Sequence, residues 1–528
     1  MLKTVFTSTA LATALLLSPA LQAATPSDAL VQASRFDDII SLDPAEMYEI
    51  STFEVATNAY DKLVAYDLDD TSKIVPQLAE SWEVSEDGKT FTFTLRDDVT
   101  FHSGNAFTAE DVVYTFARLA ALDVGPSFLI HDLGITPDNH EDVLKAVNER
   151  TFEMTLSEAF APSFVLNVLS GGNFSIVDSA LLEEQAIEGD WGNGWLKNNT
   201  AGSGPFQLDQ MVPNDRIIMS RFDDYWDGAA ELGRLMWRHV EEPATQRLLL
   251  EQGDVDVARN LLADQLEPLR AEGTLQFVEA TLGTQLYMGL NVSHEPLDDV
   301  RVRQALKYLV DYEGMVETFM RDAWIVNQTF LPQGMLGHVD SEPFSYDPER
   351  AKELLAEAGY EDGFSLSINV ATNQERMDTA QAVQASFASA GIELEILPSD
   401  SRTALTTYRA REHDIYLGTW GIDYFDPNTN AVFVANEDNS PEAAANPLTW
   451  RNAWQEEELT ERVKDLALER DEAARDEGYQ ALIEEWQEVS PFIMLFQQVA
   501  IAAVRPEVEG FRLAPTNDGN RHHRVSKD

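Results

Sequence analysis

The sequence predicts an α/β protein in which mixed β-sheets are flanked by helices, and three observations lead there. Between Phe364 and Leu397 the hydrophobic pattern alternates strand, helix and strand, the order that layers helices on a sheet. Between Ser81 and Leu119 two runs of period-two patterning feed an amphipathic helix. The 528 residues, 44% hydrophobic and 24% charged, exceed what one compact core holds, so two or three lobes are expected.

Charge excludes one class of partner. Asp and Glu number 91 against 37 Lys and Arg, a formal charge of −54 that repels a phosphate backbone, so no nucleic-acid partner is expected. Only 10 of the basic residues are Lys and 27 are Arg. This Lys-poor, carboxylate-rich balance reads as halophilic, because molar salt shortens the screening length to about 3 Å and removes most self-repulsion. The plainer alternative is an acidic surface that keeps an exported protein soluble. There is no cysteine, which removes disulfides, thiolate metal sites, Cys nucleophiles and a lipid-anchoring Cys.

At the N-terminus Lys3 precedes the apolar, acid-free run Ala10 to Leu17, then Ser18-Pro19 and Leu21-Gln22-Ala23-Ala24. That pattern predicts a secretory signal peptide over 1–23 and a periplasmic location without a lipid anchor. No later stretch reaches the roughly 18 uninterrupted apolar residues of a spanning helix; the run Phe492 to Val504 is broken by Gln497 and Gln498.

The elements follow in order. Ala29 to Phe36 reads as a strand, ended by the turn at Asp43-Pro44. Asp87-Gly88 separates two alternating runs of a β-hairpin with Phe91, Phe93 and Leu95 on one face. Thr108 caps a helix with Asp111 in a box-like position and Val112, Val113, Phe116 and Leu119 as its apolar stripe. Gly202-Ser203-Gly204-Pro205 makes a tight turn into a strand, and Tyr225-Trp226-Asp227-Gly228 closes a second hairpin-like element. A helix begins after Asp298, and Asp347-Pro348 and Gly359 bracket another by the Pro-start, Gly-stop asymmetry. Residues Glu456 to Val489 read as helical with a solvated, charged face. No repeat, low-complexity segment or Pro/Gly/Ser tether divides the chain, so crossing strands join the lobes.

Catalytic motifs fail on spacing. Gly88-Lys89-Thr90 lacks the earlier glycine of a phosphate-binding loop, because position 83 is Glu. Gly202-Ser203-Gly204 lacks the spacing of a nucleophile elbow. His140-Glu141 would need a second His at position 144, which is Leu. His522 and His523, between Arg521 and Arg524, read as surface residues of a terminal tail. With 91 acids, carboxylate pairs carry no glycosidase information. No cofactor is expected, and with no Cys and 9 His a bare metal ion is disfavoured, though a chelated one is possible.

One resemblance spans nearly all of the mature chain. Leu78-Ala79-Glu80-Ser81-Trp82, Phe101-His102-Ser103-Gly104 and Phe107-Thr108-Ala109-Glu110-Asp111-Val112-Val113 resemble the signature of family 5 extracellular solute-binding proteins, the peptide, oligopeptide and nickel class of ABC importers. The likeness continues in order at Gly202 to Phe206, Tyr225-Trp226, Gly253 to Asp256, Asp299 to Leu306, Tyr346 to Ala351, Ala358 to Tyr360 and Asp423 to Pro427.

The resemblance implies a two-lobed periplasmic-binding-protein-like fold of the large three-domain type with a hinge. Lobe I would comprise 24–56, 187–282 and 495–528, lobe II the insert 57–186, and lobe III 283–494. It also implies a non-enzymatic, monomeric protein that captures a peptide or peptide-like solute in an interlobe cleft and delivers it to an ABC importer permease. The same scaffold serves chelated nickel, haem, oligosaccharides and opine-like compounds. A secreted hydrolase would need a nucleophile or metal site, which the motif search does not find, and a chaperone-like binder would prefer unfolded polypeptide.

Site residues come from the same resemblance. In peptide-binding members an Asp in a Trp-x-x-Asp stretch pairs with the ligand ammonium, and Trp420-Gly421-Ile422-Asp423 matches it, making Asp423 the first candidate. Trp420 and Tyr424 are candidate pocket walls or core aromatics, and Asp426 a candidate whose place beside Pro427 favours a turn-shaping role. The oligopeptide type carries an Arg shortly before that Trp, where this chain has Leu417-Gly418-Thr419. A ligand carboxylate therefore needs another partner, Arg451 between Trp450 and Trp454, or Arg402. Phe36, Phe496 and Gln498 fall where family members line the cleft, and Asn428 and Asn430 would suit a polar non-peptide ligand.

Overall fold

The computed structural model describes residues 25–67, 70, 73–443 and 445–528; the expected signal peptide lies outside them. A mixed sheet of eleven strands forms the frame. Its order runs Ile392–Ser399, Phe364–Ala371, Ile415–Trp420, Gln276–Leu290, Phe492–Val504, Val257–Ala258, Ala29–Ser34, Arg234–His239, Arg216–Arg221 and Phe206–Val212, with Trp324–Val326 paired to Phe492–Val504 off this path.

The predicted alternation is present. Strands Phe364–Ala371 and Ile392–Ser399 pair in parallel, and helix Gln374–Ala388 makes the crossover between them. The long strands Gln276–Leu290 and Phe492–Val504 pair antiparallel through the middle, and their register slips between Thr281 and Gln285. Gly283 sits in that slip, where a Cβ would collide with the Ile422 side chain, so glycine admits the strand that later carries the site.

The hairpin and helix near the start form a separate unit. Strands Ala79–Val84, Thr90–Leu95, Thr151–Thr155 and Leu144–Asn148 make an antiparallel sheet, turned at Gly88 with φ of 79°. Phe91, Phe93 and Leu95 are fully buried on one face, as period-two patterning requires. Helix Ala109–Ala121 covers that face and starts from a capping box of Thr108 and Asp111. Of its predicted stripe Val112, Phe116 and Leu119 are fully buried, whereas Val113 packs at the margin.

The helix expected after Asp298 is present as Val300–Tyr308, capped by Asp299, whose side chain accepts from the Arg301 N–H. Two predicted details change. The 456–489 stretch is two helices, Glu457–Leu468 and Glu472–Val489, and the second buries Tyr479, Leu482, Ile483 and Trp486 against the core. His522 and His523 are not surface residues of a tail. His522 is fully buried, stacked 5.4 Å from Phe511 and bonded to Gln32 at 3.0 Å, and His523 packs 5.7 Å from Tyr225. Among the described residues no single helix is long and apolar enough to cross a membrane, and no group of three metal-ligating side chains converges.

Candidate functional site

Strand Ile415–Trp420 lies beside Gln285–Leu290 in antiparallel register, and the chain leaves it through Gly421, Ile422 and Asp423. This exit opens onto a cavity of about 350 Å³. Tyr48 and Phe53 face it from the N-terminal segment, Gly283 and Thr284 from the central strand, and Tyr416, Trp420 and Asp423 from the strand and its exit. Arg409 and Arg451 complete one side, and Asn173 and Asp518 close the floor.

Asp423 is held from both ends. Its backbone N–H donates to Thr429 Oγ1 at 3.1 Å, and its Oδ1 accepts from the Tyr48 hydroxyl at 3.3 Å. Burial pushes its carboxyl up to about 6, with the Tyr48 hydrogen bond opposing this and the Asp132 charge adding to it. A carboxylate in this state gains from a cation brought to it. The Tyr48 phenol is held protonated well above its ordinary range by burial and by the Asp423 charge.

Trp420 is positioned by a buried amide chain. Its indole N–H donates to Asn430 Oδ1 at 2.9 Å, and Asn430 Nδ2 donates to the Phe330 carbonyl at 2.5 Å and to Gln285 Oε1 at 3.3 Å. Asn430 is therefore fully buried behind the wall and not free for a ligand. Asn430→Leu leaves the indole N–H without its acceptor, and a loss of about 1–3 kcal/mol is expected in thermal unfolding, the cost of an unpaired buried polar group. An unchanged melting temperature would contradict that role.

The cationic side centres on Tyr416. Its ring stacks on Tyr408 with centroids 4.0 Å apart and planes 5° apart. Burial raises the Tyr416 phenol, and Arg376, Arg451 and Arg409 oppose that rise, so three guanidiniums act on one hydroxyl. Arg376 Nη2 donates to Thr419 Oγ1 at 2.9 Å, while its buried Nε has no hydrogen-bond partner. Arg451 lies 5.5 Å over the Tyr408 ring and donates through Nε to the Asn446 carbonyl at 3.2 Å. Among the described residues none of these three arginines is paired with a carboxylate.

The structure thus brings Asp423, Trp420 and Arg451 together and places the other candidates elsewhere. Tyr424 is buried against Phe164, 5.8 Å away, and Asn428 lies beside it with Nδ2 3.4 Å from its hydroxyl. Asp426 is sealed in an ion pair with Arg475 and caps the turn after it. Phe36 packs in the core edge-on to His239 at 5.0 Å. Phe496 is fully buried in the core, and Gln498 is paired through its strand with Trp324, away from the cavity. Arg402 is exposed at the start of helix Ser401–Arg409, outside the cavity. Sequence reasoning missed Tyr48, Tyr416, Arg409 and Arg376. Leu405 and Arg409, one helical turn apart and both at the cavity, were the one periodic signal available.

Residues 73–441 match the model of bacterial extracellular solute-binding proteins, family 5. The chain belongs to that family. It is the solute-binding component of an ABC importer rather than an enzyme, and the matched residues run from before strand Ala79–Val84 to beyond Trp420 and Asp423. A probable D,D-dipeptide-binding periplasmic protein of Escherichia coli K12, DdpA, is 29% identical over 94% of both chains. Heme-binding protein A of Haemophilus influenzae is 27% identical over 90% of this chain and 88% of that one. Among solved structures, HbpA2 from Haemophilus parasuis superposes with a TM-score of 0.81 at 25% identity, covering 95% of this chain and 100% of that one. DppA from Helicobacter pylori, solved with a peptide, gives 0.77 at 23% identity over 94% and 98%, a likeness of fold.

Proposed function

We propose that this protein works in the periplasm and captures a small peptide-like zwitterion, with Asp423 on the ammonium and Arg451, backed by Arg376, on the carboxylate. The observation that carries this reading is the presence of a desolvated carboxylate, Asp423, and of Arg409 and Arg451, neither paired with a carboxylate among the described residues, in one cavity of about 350 Å³. Opposite charges offered within one cavity select a solute that carries both. The cavity lies near the small end of ligand pockets, which run about 300–1,000 Å³, so a dipeptide suits it better than a long chain. The dipeptide-binding names of several relatives agree with this choice.

The proposed lobes meet here: Tyr48 and Asp518 come from lobe I, Asn173 from lobe II, and Asp423 and the arginines from lobe III. The register slip at 281–285 supplies the hinge position, and solute bound between the lobes shifts the population to the closed form that docks on the permease. Mass spectrometry of small molecules released on denaturation of the exported protein is expected to recover short peptides. A sugar or a metal chelate would keep the importer role and overturn the peptide reading. For Arg451→Gln, a dipeptide with a free C-terminus is expected to lose about tenfold in affinity while its C-terminal amide loses little. Equal losses by calorimetry would remove Arg451 from the carboxylate role.

The acid excess supports a salt-adapted surface as a further part of this reading. The melting temperature is expected to rise between low salt and molar NaCl, and a flat curve would contradict it.

A further inference from the structure

Tyr416 and Trp420 both line the cavity, and by the period of two they share one face of strand Ile415–Trp420 with Gly418 between them. Leu417 points the other way, into the core. A Cβ on Gly418 would come within 2.6 Å of the Tyr416 hydroxyl oxygen, so the Tyr416 ring lies along the strand over the glycine, which admits it. The ring is also stacked on Tyr408, 4.0 Å away, and Tyr408 is fully buried and accepts from Asn452 Nδ2 at 2.9 Å. Asn452 Nδ2 donates in turn to the Leu448 carbonyl at 2.9 Å. Strand, glycine and stack thus fix where the Tyr416 hydroxyl stands.

That hydroxyl is unmet. Tyr416 is only 7% exposed, yet its hydroxyl has no hydrogen-bond partner among the described residues. The phenols around it are engaged: Tyr48 donates to Asp423, Tyr408 accepts from Asn452, and Tyr287 is hydrogen-bonded to Tyr408. A polar group so deeply set and left unpaired is costly unless a bound molecule meets it. Chain order says which end of the solute does so. The hydroxyl stands over Gly418, before Trp420, whereas Asp423 follows Trp420, so a solute with its ammonium at Asp423 presents its other end to Tyr416. Arg451 already uses Nε on the Asn446 carbonyl, and a carboxylate has about four acceptor sites, more than the rest of one guanidinium fills.

We propose that Tyr416 is a solute-binding residue, its hydroxyl donating to the terminal carboxylate as a second donor to the group that Arg451 holds. This inference rests on the peptide-like reading above. Burial keeps the phenol protonated, so it acts as a donor and brings hydrogen-bond specificity without a further charge.

Tyr416→Phe removes the hydroxyl and keeps the stacked ring. Calorimetry on protein freed of its ligand by unfolding and refolding, with Ala-Ala and its C-terminal amide as probes, compares the variant with the parent. Ala-Ala is expected to lose about tenfold in affinity and the amide less than about threefold, because a charged acceptor makes the stronger bond. The melting temperature of the ligand-free variant is expected to match that of the parent. Unchanged Ala-Ala affinity would overturn the inference and leave the peptide reading standing. Equal losses for acid and amide would overturn the assignment to the carboxylate. A lower melting temperature would show that the hydroxyl has a partner within the protein, which also overturns it. Failure of the parent to bind Ala-Ala would overturn this inference and the peptide reading together.

Discussion

Asp423→Asn is expected to bind an amine-bearing solute about 2 kcal/mol more weakly than the parent protein, about 30-fold, with its fold intact. Truncating one partner of a desolvated charge pair removes the charge-assisted bond and leaves the ligand ammonium without its counter-charge. Tyr48 can still donate to the amide oxygen, so the wall keeps its shape. The pH dependence follows from the same group. Its carboxyl lies at about 6, raised from 3.8 first by burial, so the ionised form that attracts an ammonium is lost as pH falls through 6. Affinity in the parent is expected to drop about tenfold per pH unit below that point and to level off above it, and the Asn variant to show a flat profile. The stability linkage has the opposite sign. The folded state holds the proton more tightly than the unfolded chain between 3.8 and about 6, so ligand-free stability declines as pH rises through that window. At neutral pH the Asn variant is therefore expected to be more stable than the empty parent, by about 1 kcal/mol after discounting for solvent access. Unchanged affinity in calorimetry would retire Asp423 from the ammonium role.

The largest stability effect is expected at Arg475→Met, a loss of about 3–5 kcal/mol in thermal or urea unfolding. The Arg475 and Asp426 side chains are 0% and 1% exposed and share two hydrogen bonds, of 2.7 and 2.6 Å. Removing the guanidinium leaves Asp426 as a buried, uncompensated charge. Arg475 also donates to the Leu466 carbonyl at 2.9 Å and to Ser163 Oγ at 3.2 Å, so it ties the helix Glu472–Val489 to the helix Pro162–Leu169 of the hairpin unit. Replacing both partners by Arg475→Met with Asp426→Leu is expected to recover most of the loss, because a buried ion pair is often matched by apolar groups of similar volume. A single variant as stable as the parent would show that water reaches the pair.

Several elements were legible because their causes are local. The Asp87-Gly88 turn, the Thr108 capping box and the Pro348 to Gly359 brackets each depend on residues a few positions apart. The strand–helix–strand pattern of 364–397 was equally plain, since Leu366, Ile368 and Val370, and then Ile392 and Leu394, are buried in alternation with less buried neighbours. The site was legible only in part. Of the candidates named from the sequence, Asp423, Trp420 and Arg451 line the cavity; the first two come from the family resemblance of one short stretch and Arg451 from its planar, Trp-flanked chemistry. Phe36 and Phe496 lie in the core and not at the cavity, and Tyr424 takes the core place of its two expected ones, because an aromatic residue on a strand or turn does not announce which face it presents. His522 looked exposed because it neighbours two arginines, and only packing against Phe511, with polar contacts to Gln32 and Glu54, showed otherwise.

By itself the sequence determined the α/β class, the family, the acid excess and the lack of any thiol chemistry, since these depend on composition and on patterns read within a few residues. Only the tertiary structure decided which charges meet. Tyr48 and Asp423 are 375 positions apart, and Arg409 and Arg451 reach the same cavity from the separate helices Ser401–Arg409 and Leu448–Arg451. Electrostatic interaction depends on distance through space and on exclusion of water, neither of which is written along the chain. The same physics sealed Asp426 against Arg475 and left Asp423, three residues away, facing the cavity.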